Sequence, residues 1–393
     1  MTNIKRLFSQ YKFFSLFSIL ILGIVLRLIM PLRGHNVDAE MWRLIADISN
    51  TNLNVYSETP RYNYGPIWFH ILHFLDNLFT FDMPQTIETL RWKVAYFLTL
   101  VDVCIFIVLY RIYGILAGTL FFLNPISIII TGYQIQFDNL AILTALLAVI
   151  LIEREKHNVI FFSGLLFLSL SLCIKHLFFI FPFWLAFKEK KLLRKVLIIF
   201  IPFGIFLVSF IYYLPEGVQG IINNVLLYRS WNHNAPFWKL FGPNFLVSKQ
   251  FTHFPLFVGS LLILGLLWKS KKLFDSLHLY LISLVNFASS IGNHYLAICV
   301  PSIAVNWNWG YAIYTVVVSI HLLFDADALH LQFMGRQVGA AGHHYYLPIL
   351  FLTLGLYIQV FGKKGLSHLK NRFIQLKKWI FVQIQEQLKN AHK

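Results

Sequence analysis

The chain has 393 residues, of which 58% are hydrophobic and only 13% charged, with a mean hydropathy of +0.65. A soluble domain carries about a quarter charged residues, so this composition excludes one and points to an integral membrane protein. The formal charge of +16 does not mark a nucleic-acid binder, because Lys and Arg sit in short links between apolar runs, as the positive-inside rule expects.

In chain order, a basic N-terminus (Lys5, Arg6, Lys12) leads into an apolar run, 13–31, that Arg27 interrupts near its end. No small-residue cleavage site follows, so the expectation is an uncleaved first span. Further apolar runs lie at 93–110, 114–131, 138–152, 159–174, 176–187, 196–214, 254–268, 274–291, 295–307, 309–324 and 346–361. They are too long for barrel strands, although several fall short of the ~20 residues of a straight crossing. The expected fold is an all-α polytopic membrane protein of about 11–12 transmembrane helices over residues 1–362, followed by a basic tail, 363–393.

The links "RIYG", "EREKHN", "KEKKLLRK", "WKSKK" and "FGKKG" alternate onto one side together with the N-terminus. That side is expected to be cytoplasmic, which puts both termini there. The opposite side then carries the larger loops 32–92, 215–253 and 325–345. Within the first of these, Met41, Leu44, Ile45 and Ile48 follow a helical stripe, and Pro66 opens a second stripe of Ile67, Ile71, Leu72, Leu75 and Leu78. Two interfacial helices are expected. In the tail, Leu369, Phe373, Leu376, Ile380 and Ile384 share a face among lysines and arginines, a pattern that suits an anionic leaflet. Cys104, Cys173 and Cys299 lie inside apolar runs and read as buried small residues.

Candidate chemistry concentrates on the outer side. The stretch "RGHNVDAEMWRLIADIS", residues 33–49, holds Asp38, Glu40 and Asp47 in a chain with only 17 acids. Asp38 and Glu40 read either as a general base or as acids favoured at a helix N-terminus; Asp47 reads as a solvated surface residue. In "GYQIQFDNLAIL", residues 132–143, Asp138 or Asn139 reads first as a helix cap. Lys175 and His176 interrupt a long apolar run, and a buried lysine needs protein, water or an anion. The favoured reading puts both at an outer turn, where they meet a lipid phosphate; the alternative is a lysine that only snorkels to the interface. "LLYRSWNHNAPFWKLFG", 226–242, supplies Arg229, Trp231, His233 and Trp238, either a phosphate and sugar site or an aromatic belt. "GNHYLAICVP" puts His294 at the outer end of a span. Asp325 and Asp327 form an Asp-x-Asp pair, but nucleotide sugars are absent from the outer side. No metal ligand set or cofactor motif stands out.

Four stretches in order, "NVDAE", "NVYSETPRYNYGPIWFHIL", "NPISIIITGYQIQFDNLAIL" and "IKHLFFIFPFWLAF", with "GNHYLAICVP" as a fifth, resemble the GT-C superfamily of membrane glycosyltransferases. The nearest likeness is to the endoplasmic-reticulum enzymes that use polyprenyl-phosphate-linked sugars to build N-glycan precursors and GPI anchors. It covers most of residues 13–305 and rests on order and sidedness rather than on any one motif. The resemblance implies inverting transfer of a hexose, mannose or glucose, from a polyprenyl-phosphate donor to a glycan or glycolipid acceptor, without a cofactor. By position it implies Asp38 as base with Glu40 as neighbour or substitute. It also implies Lys175, Arg229 and His294 as donor-phosphate ligands, and Asp138, Tyr64, His176 and His233 in the substrate pocket. Tyr64-Gly65-Pro66 and Asp38-Ala39-Glu40 depart from the eukaryotic patterns. The absence of N-x-S/T sequons and of paired cysteines favours a prokaryotic inner membrane over the endoplasmic reticulum. A flippase or transporter of a lipid-linked anion, and a surface-polysaccharide ligase or polymerase, are the competing classes; no internal symmetry of the transporter kind is present.

Overall fold

The computed structural model describes residues 2–78, 85–154, 157–228, 234–241, 253–325, 327–331 and 345–362, with backbone alone for 2–13. Among these residues the regular structure is helical throughout, with no strand. The principal helices are α1 (Thr2–Ile29), α2 (Val37–Asn50), α3 (Ile67–Asn77), α4 (Ile87–Tyr113), α5 (Ile115–Phe122), α6 (Pro125–Gly132), α7 (Asp138–Glu153) and α8 (Asn158–Ile174). They continue as α9 (Phe181–Lys188), α10 (Leu192–Val208), α11 (His253–Leu267), α12 (Leu273–Asn286), α13 (Tyr295–Val305), α14 (Trp309–Phe324) and α15 (Tyr346–Gly362).

Each apolar run of the sequence therefore folds as helix, but not each as one long rod. Among the described residues three stretches are long and apolar enough to cross a membrane: Phe14–Arg33, Ile87–Tyr113 and Leu192–Tyr213. A fourth candidate, α5 with α6, is bent by 49°. The cause is local: Asn124 accepts from the Ile126 amide at 3.0 Å, and Pro125 has no N–H to continue the helix. By contrast α4 runs 27 residues, because Thr86 and Thr89 form a capping box at its start and Gly114 ends it at φ 92°.

Both expected helices of the first large loop form, with buried faces rotated from the expected ones. α2 buries Ala39, Trp42, Ile45 and Ala46, while Leu44 is exposed. α3 buries Trp68, Phe69, Leu72 and Leu75. The aromatic residues decide the faces: Trp42 meets Trp68 edge-on at 5.8 Å, and Trp68 stacks on Phe137 at 4.1 Å. Arg43 and Asp76 pin the two helices together by a bidentate pair, with Asn50 donating to the same carboxylate at 2.7 Å. Of the cysteines, Cys173 and Cys299 are buried as expected, but Cys104 is exposed on the outward side of α4.

Inside the helical body, Arg27 and Asp102 are both fully buried and meet at 2.7 Å. Arg27 also donates to the carbonyls of Phe122 at 2.7 Å and Gly23 at 3.1 Å and to Ser127 Oγ at 2.9 Å. Asp102 accepts from Thr131 at 2.8 Å and Asn139 at 2.6 Å. The pair is tolerable because nearly every donor and acceptor is satisfied. It ties α1, α4, the bend between α5 and α6, and the start of α7 to one point.

Candidate functional site

Asp38 stands in the first turn of α2 and does not cap it. Asn36 occupies the N-cap in extended conformation and makes no side-chain cap bond either. Its Nδ2 instead donates to Asp38 Oδ2 at 2.9 Å. Gln136 Nε2, from the turn before α7, donates to the same oxygen at 2.7 Å. Both bonds fall on Oδ2 and leave Oδ1 without one, so the carboxylate is oriented with one oxygen available as an acceptor. The approach to α2 is fixed from below by Arg91, which donates to the carbonyls of Pro31, at 2.6 Å, and Gly34, and reaches His35 Nδ1 at 3.3 Å. Tyr133 donates to the His35 carbonyl at 3.2 Å. Asp38 is half-buried.

Asp138 is not a side-chain cap for α7. Its carboxylate pairs with Lys175 at 2.8 Å, both side chains being 2% exposed. Lys175 arrives there because α8 stops at Ile174 and the next residue is extended, φ −153° and ψ 132°. The ammonium lies over three rings, Phe137 at 4.9 Å, Tyr64 at 5.2 Å and Tyr295 at 5.7 Å. Aromatic faces and one carboxylate replace its water, which is what a buried lysine requires. Gly65 makes this close packing possible: a Cβ there would fall 2.0 Å from the Cys173 carbonyl oxygen. The glycine of Tyr64-Gly65-Pro66 lets the loop press its backbone against the end of α8, two residues before Lys175.

His294 and His176 complete the cluster. The His176 ring stacks on Tyr64 at 6.2 Å, and His294 meets Tyr295 at 4.2 Å. Burial lowers the His294 imidazole below its ordinary pKa, and Lys175 lowers it further against the opposing charges of Asp138 and Asp38. A neutral imidazole can still donate one N–H. His176 Nδ1 and His294 Nε2 are buried without a hydrogen-bond partner, as are Asn36 Oδ1, Gln134 Oε1 and Gln136 Oε1. A buried polar atom left unpaired costs about 1–3 kcal/mol; two of the five belong to the amides that hold Asp38.

The Asp-x-Asp segment reaches the same rim. Gln134 Nε2 donates to the Asp327 carbonyl at 2.9 Å. Burial raises the Asp327 carboxyl, and the charges of Asp325 and Asp38 add to the rise. Asp325 is engaged by Asn293 Nδ2 at 2.9 Å and by the Asp327 amide at 3.0 Å. Among the described residues no three His, Cys, Asp or Glu side chains converge as metal ligands.

Of the residues expected from sequence, the structure brings together Asp38, Tyr64, Asp138, Lys175, His176 and His294. Glu40 is not among them: its side chain is 63% exposed and turns to His35 at 3.6 Å. Arg229 and His233 lie outside the described residues, as does the tail 363–393. Asp47 is 60% exposed, paired with Arg43. The capping readings of Asp138 and Asn139 do not hold, since the carboxylate pairs with Lys175 just past α8 and the amide donates to Asp102 on α4. Sequence reasoning missed Gln136 and Asn36 as the residues that orient Asp38, and Phe137 and Tyr295 as ring neighbours of Lys175. The one sequence signal for them was the polar interruption "YQIQFDN" between two apolar runs. No family model matches the chain, and no curated protein or solved structure matches it.

Proposed function

We propose that the protein is a multi-pass membrane glycosyltransferase. In this reading it moves a hexose, mannose or glucose, from a polyprenyl-phosphate donor to a glycan or glycolipid acceptor on the outer face. The observation that carries the reading is the Asp38 carboxylate, clamped on Oδ2 by two amides with Oδ1 open, beside a buried cation and two unpartnered imidazole nitrogens. Such a set can remove a proton at one end and receive an anion at the other. The helical architecture and its long apolar helices support a membrane setting.

The steps follow from the atoms. Asp38 Oδ1 takes the proton of an acceptor hydroxyl. The acceptor oxygen attacks the anomeric carbon from the face opposite the leaving group, forming the new glycosidic bond with inversion. The bond from that carbon to the phosphate oxygen breaks, and its electron pair leaves with the prenyl phosphate. His294 and His176 donate to that phosphate. Lys175 acts from behind them; since Asp138 already balances its charge, its part is to set the local field and hold the rings, with the imidazoles making the direct contacts. Groups fixed in a partly dry site need little reorganisation as charge develops, which is why they act strongly.

Reconstitution into vesicles with radiolabelled prenyl-phosphate mannose or glucose and a membrane extract tests the proposal. Label in a new lipid or glycan product is the expected result. Label that only crosses the bilayer favours a flippase and overturns it.

A further inference from the structure

We propose a second ligand site, far along the helical body from Asp38, that binds an uncharged lipid with a hydroxyl-bearing head. The proposal rests on the membrane setting and not on the chemistry at Asp38. The site is a cavity of about 490 Å³ where the end of α4, the start of α5, the link from α13 to α14 and the end of α15 meet. That volume falls within the range of roughly 300–1,000 Å³ usual for small-molecule sites. Arg91, which holds the approach to Asp38, and Tyr113, which lines the cavity, both belong to α4. From one to the other the helix rises about 33 Å.

The polar part of the lining is held in place from behind. The Tyr113 hydroxyl meets His278 Nε2 at 3.0 Å, and His278 Nδ1 meets Ser302 Oγ at 3.1 Å. His278 and Ser302 are buried, so groups on α12 and α13 fix the hydroxyl at the cavity wall. Whichever imidazole tautomer is present, that hydroxyl keeps a further bond to offer. Gln359 Oε1 accepts from the Tyr311 hydroxyl at 2.5 Å, which leaves the side-chain NH2 for a ligand. Asn306 Nδ2 donates to the Ser302 carbonyl at 3.1 Å, which leaves its Oδ1. Asn308 is spent on the fold: its Oδ1 caps α14 and its Nδ2 reaches the Gly355 carbonyl. The cavity thus offers one donor, one acceptor and one hydroxyl.

Charge and surroundings select the ligand. Among the described residues no charged side chain lines the cavity, and the charges that act on Tyr113 are the acids Asp275 and Glu153. A phosphate or carboxylate would give up water, find no cation and face that negative field. Neutral hydroxyls satisfy all three polar groups. The remaining wall is apolar, with Leu116, Ala117, Leu120, Val305 and Ile358. Leu116 is exposed on α5, within the bent candidate span, so an acyl chain leaves the cavity directly into the bilayer. Trp307 and Trp309 are exposed at the same link, and tryptophans at helix ends settle at headgroup depth, where a lipid's head and chains join.

The test places the full chain in phosphatidylcholine nanodiscs with a diacylglycerol carrying a photoactivatable group and an alkyne on one acyl chain. A phosphatidic acid with the same chains is the comparator, and cross-linked peptides are read by mass spectrometry. The expected result is diacylglycerol label concentrated in peptides holding residues 113–120, 304–309 and 358–359, with phosphatidic acid labelling them at least about fivefold less. Monooleoylglycerol competes for that label and free glycerol does not. Gln359→Glu keeps an acceptor for Tyr311 but replaces the NH2 with a second carboxylate oxygen. It lowers the cavity label by about fivefold or more, while label on the exposed stripe Trp92, Tyr96 and Leu100 of α4 is unchanged. Equal cavity label from both probes, cavity label no higher than on the α4 stripe, competition by glycerol, or an unchanged ratio of cavity to stripe label in Gln359→Glu overturns the proposal. Probes and competitors are compared on the unaltered protein, so they decide the matter even where the variant does not fold.

Discussion

Asp38 and Gln136, 98 residues apart, meet at 2.7 Å, and the amide leaves one carboxylate oxygen open. If that oxygen is the base, Asp38→Asn lowers transfer by about 10²–10⁴-fold, the usual loss of one positioned acid–base group. Thermal unfolding in detergent should be unchanged to within a few degrees. Glu40→Gln, at an exposed position paired only with His35 at 3.6 Å, retains at least about a third of the activity. An Asp38→Asn protein within threefold of wild type would falsify the assignment.

Lys175 and Asp138 form a pair that is costly to break and of little net worth to stability as a pair. Removing either partner alone leaves an uncompensated buried charge, a loss of about 3–5 kcal/mol. Lys175→Met and Asp138→Leu should each lower the unfolding midpoint, and the double variant should recover most of the loss. Activity should not return in the double variant, because the field beside His294 has gone. Unfolding curves for the four proteins give the coupling directly. Additive effects of the two single changes would contradict a direct pair.

The Arg43–Asp76 contact predicts a pH response. Burial alone would raise the Asp76 carboxyl; the hydrogen bonds from Arg43 and Asn50 outweigh it and hold the group below its ordinary value of 3.8. A carboxyl with a lowered folded pKa adds stability that is fully present above 3.8 and is lost as pH falls through the folded value. Wild type should therefore lose stability below that pH more steeply than Asp76→Asn. Parallel pH profiles of the two unfolding midpoints would rule the contribution out.

Gly65→Ala tests the packing of the Tyr64 loop on the end of α8. The added methyl would lie 2.0 Å from a backbone oxygen, and a main-chain carbonyl cannot move aside as a flexible side chain can. The expected loss is at least the ~1–3 kcal/mol typical of overpacking, together with lower activity, since the loop carries Tyr64. Gly204→Ala, where nothing lies within 4 Å, is the control and should be nearly neutral or mildly stabilising.

Much of this organisation can be read from the chain. The apolar runs became helices, because continuous apolar stretches with turn residues between them leave little choice. Asp38, Lys175 and His294 drew notice as ionisable groups near apolar runs, and they do lie in one cluster. What stayed hidden were the pairings. Asp102 is a single acid inside a long apolar run, and its partner Arg27 lies 75 residues earlier. Asp76 lies within the second expected interfacial helix with no local sign of a partner, yet it is 1% exposed. Glu40 and Asp38 looked equivalent, since two residues on a helix differ by a direction that only the packing of Trp42 and Ala39 decides. Local pattern specifies the elements; contacts over 37 to 98 residues depend on how those elements dock.

The Arg27 network bears on how the protein is made. Ribosomes deliver Arg27 well before Asp102, and Ser127, Thr131 and Asn139 come later still. On the membrane reading, the first helix enters the bilayer carrying a charge whose counter-ion has not yet been synthesised, an expensive state for an arginine. Its charge is balanced only once Asp102 has been made. The polar partners that seat Arg27 outside its own helix all lie in segments made after it, so on this reading α1 reaches its final contacts only once α4 and the bend between α5 and α6 are in place.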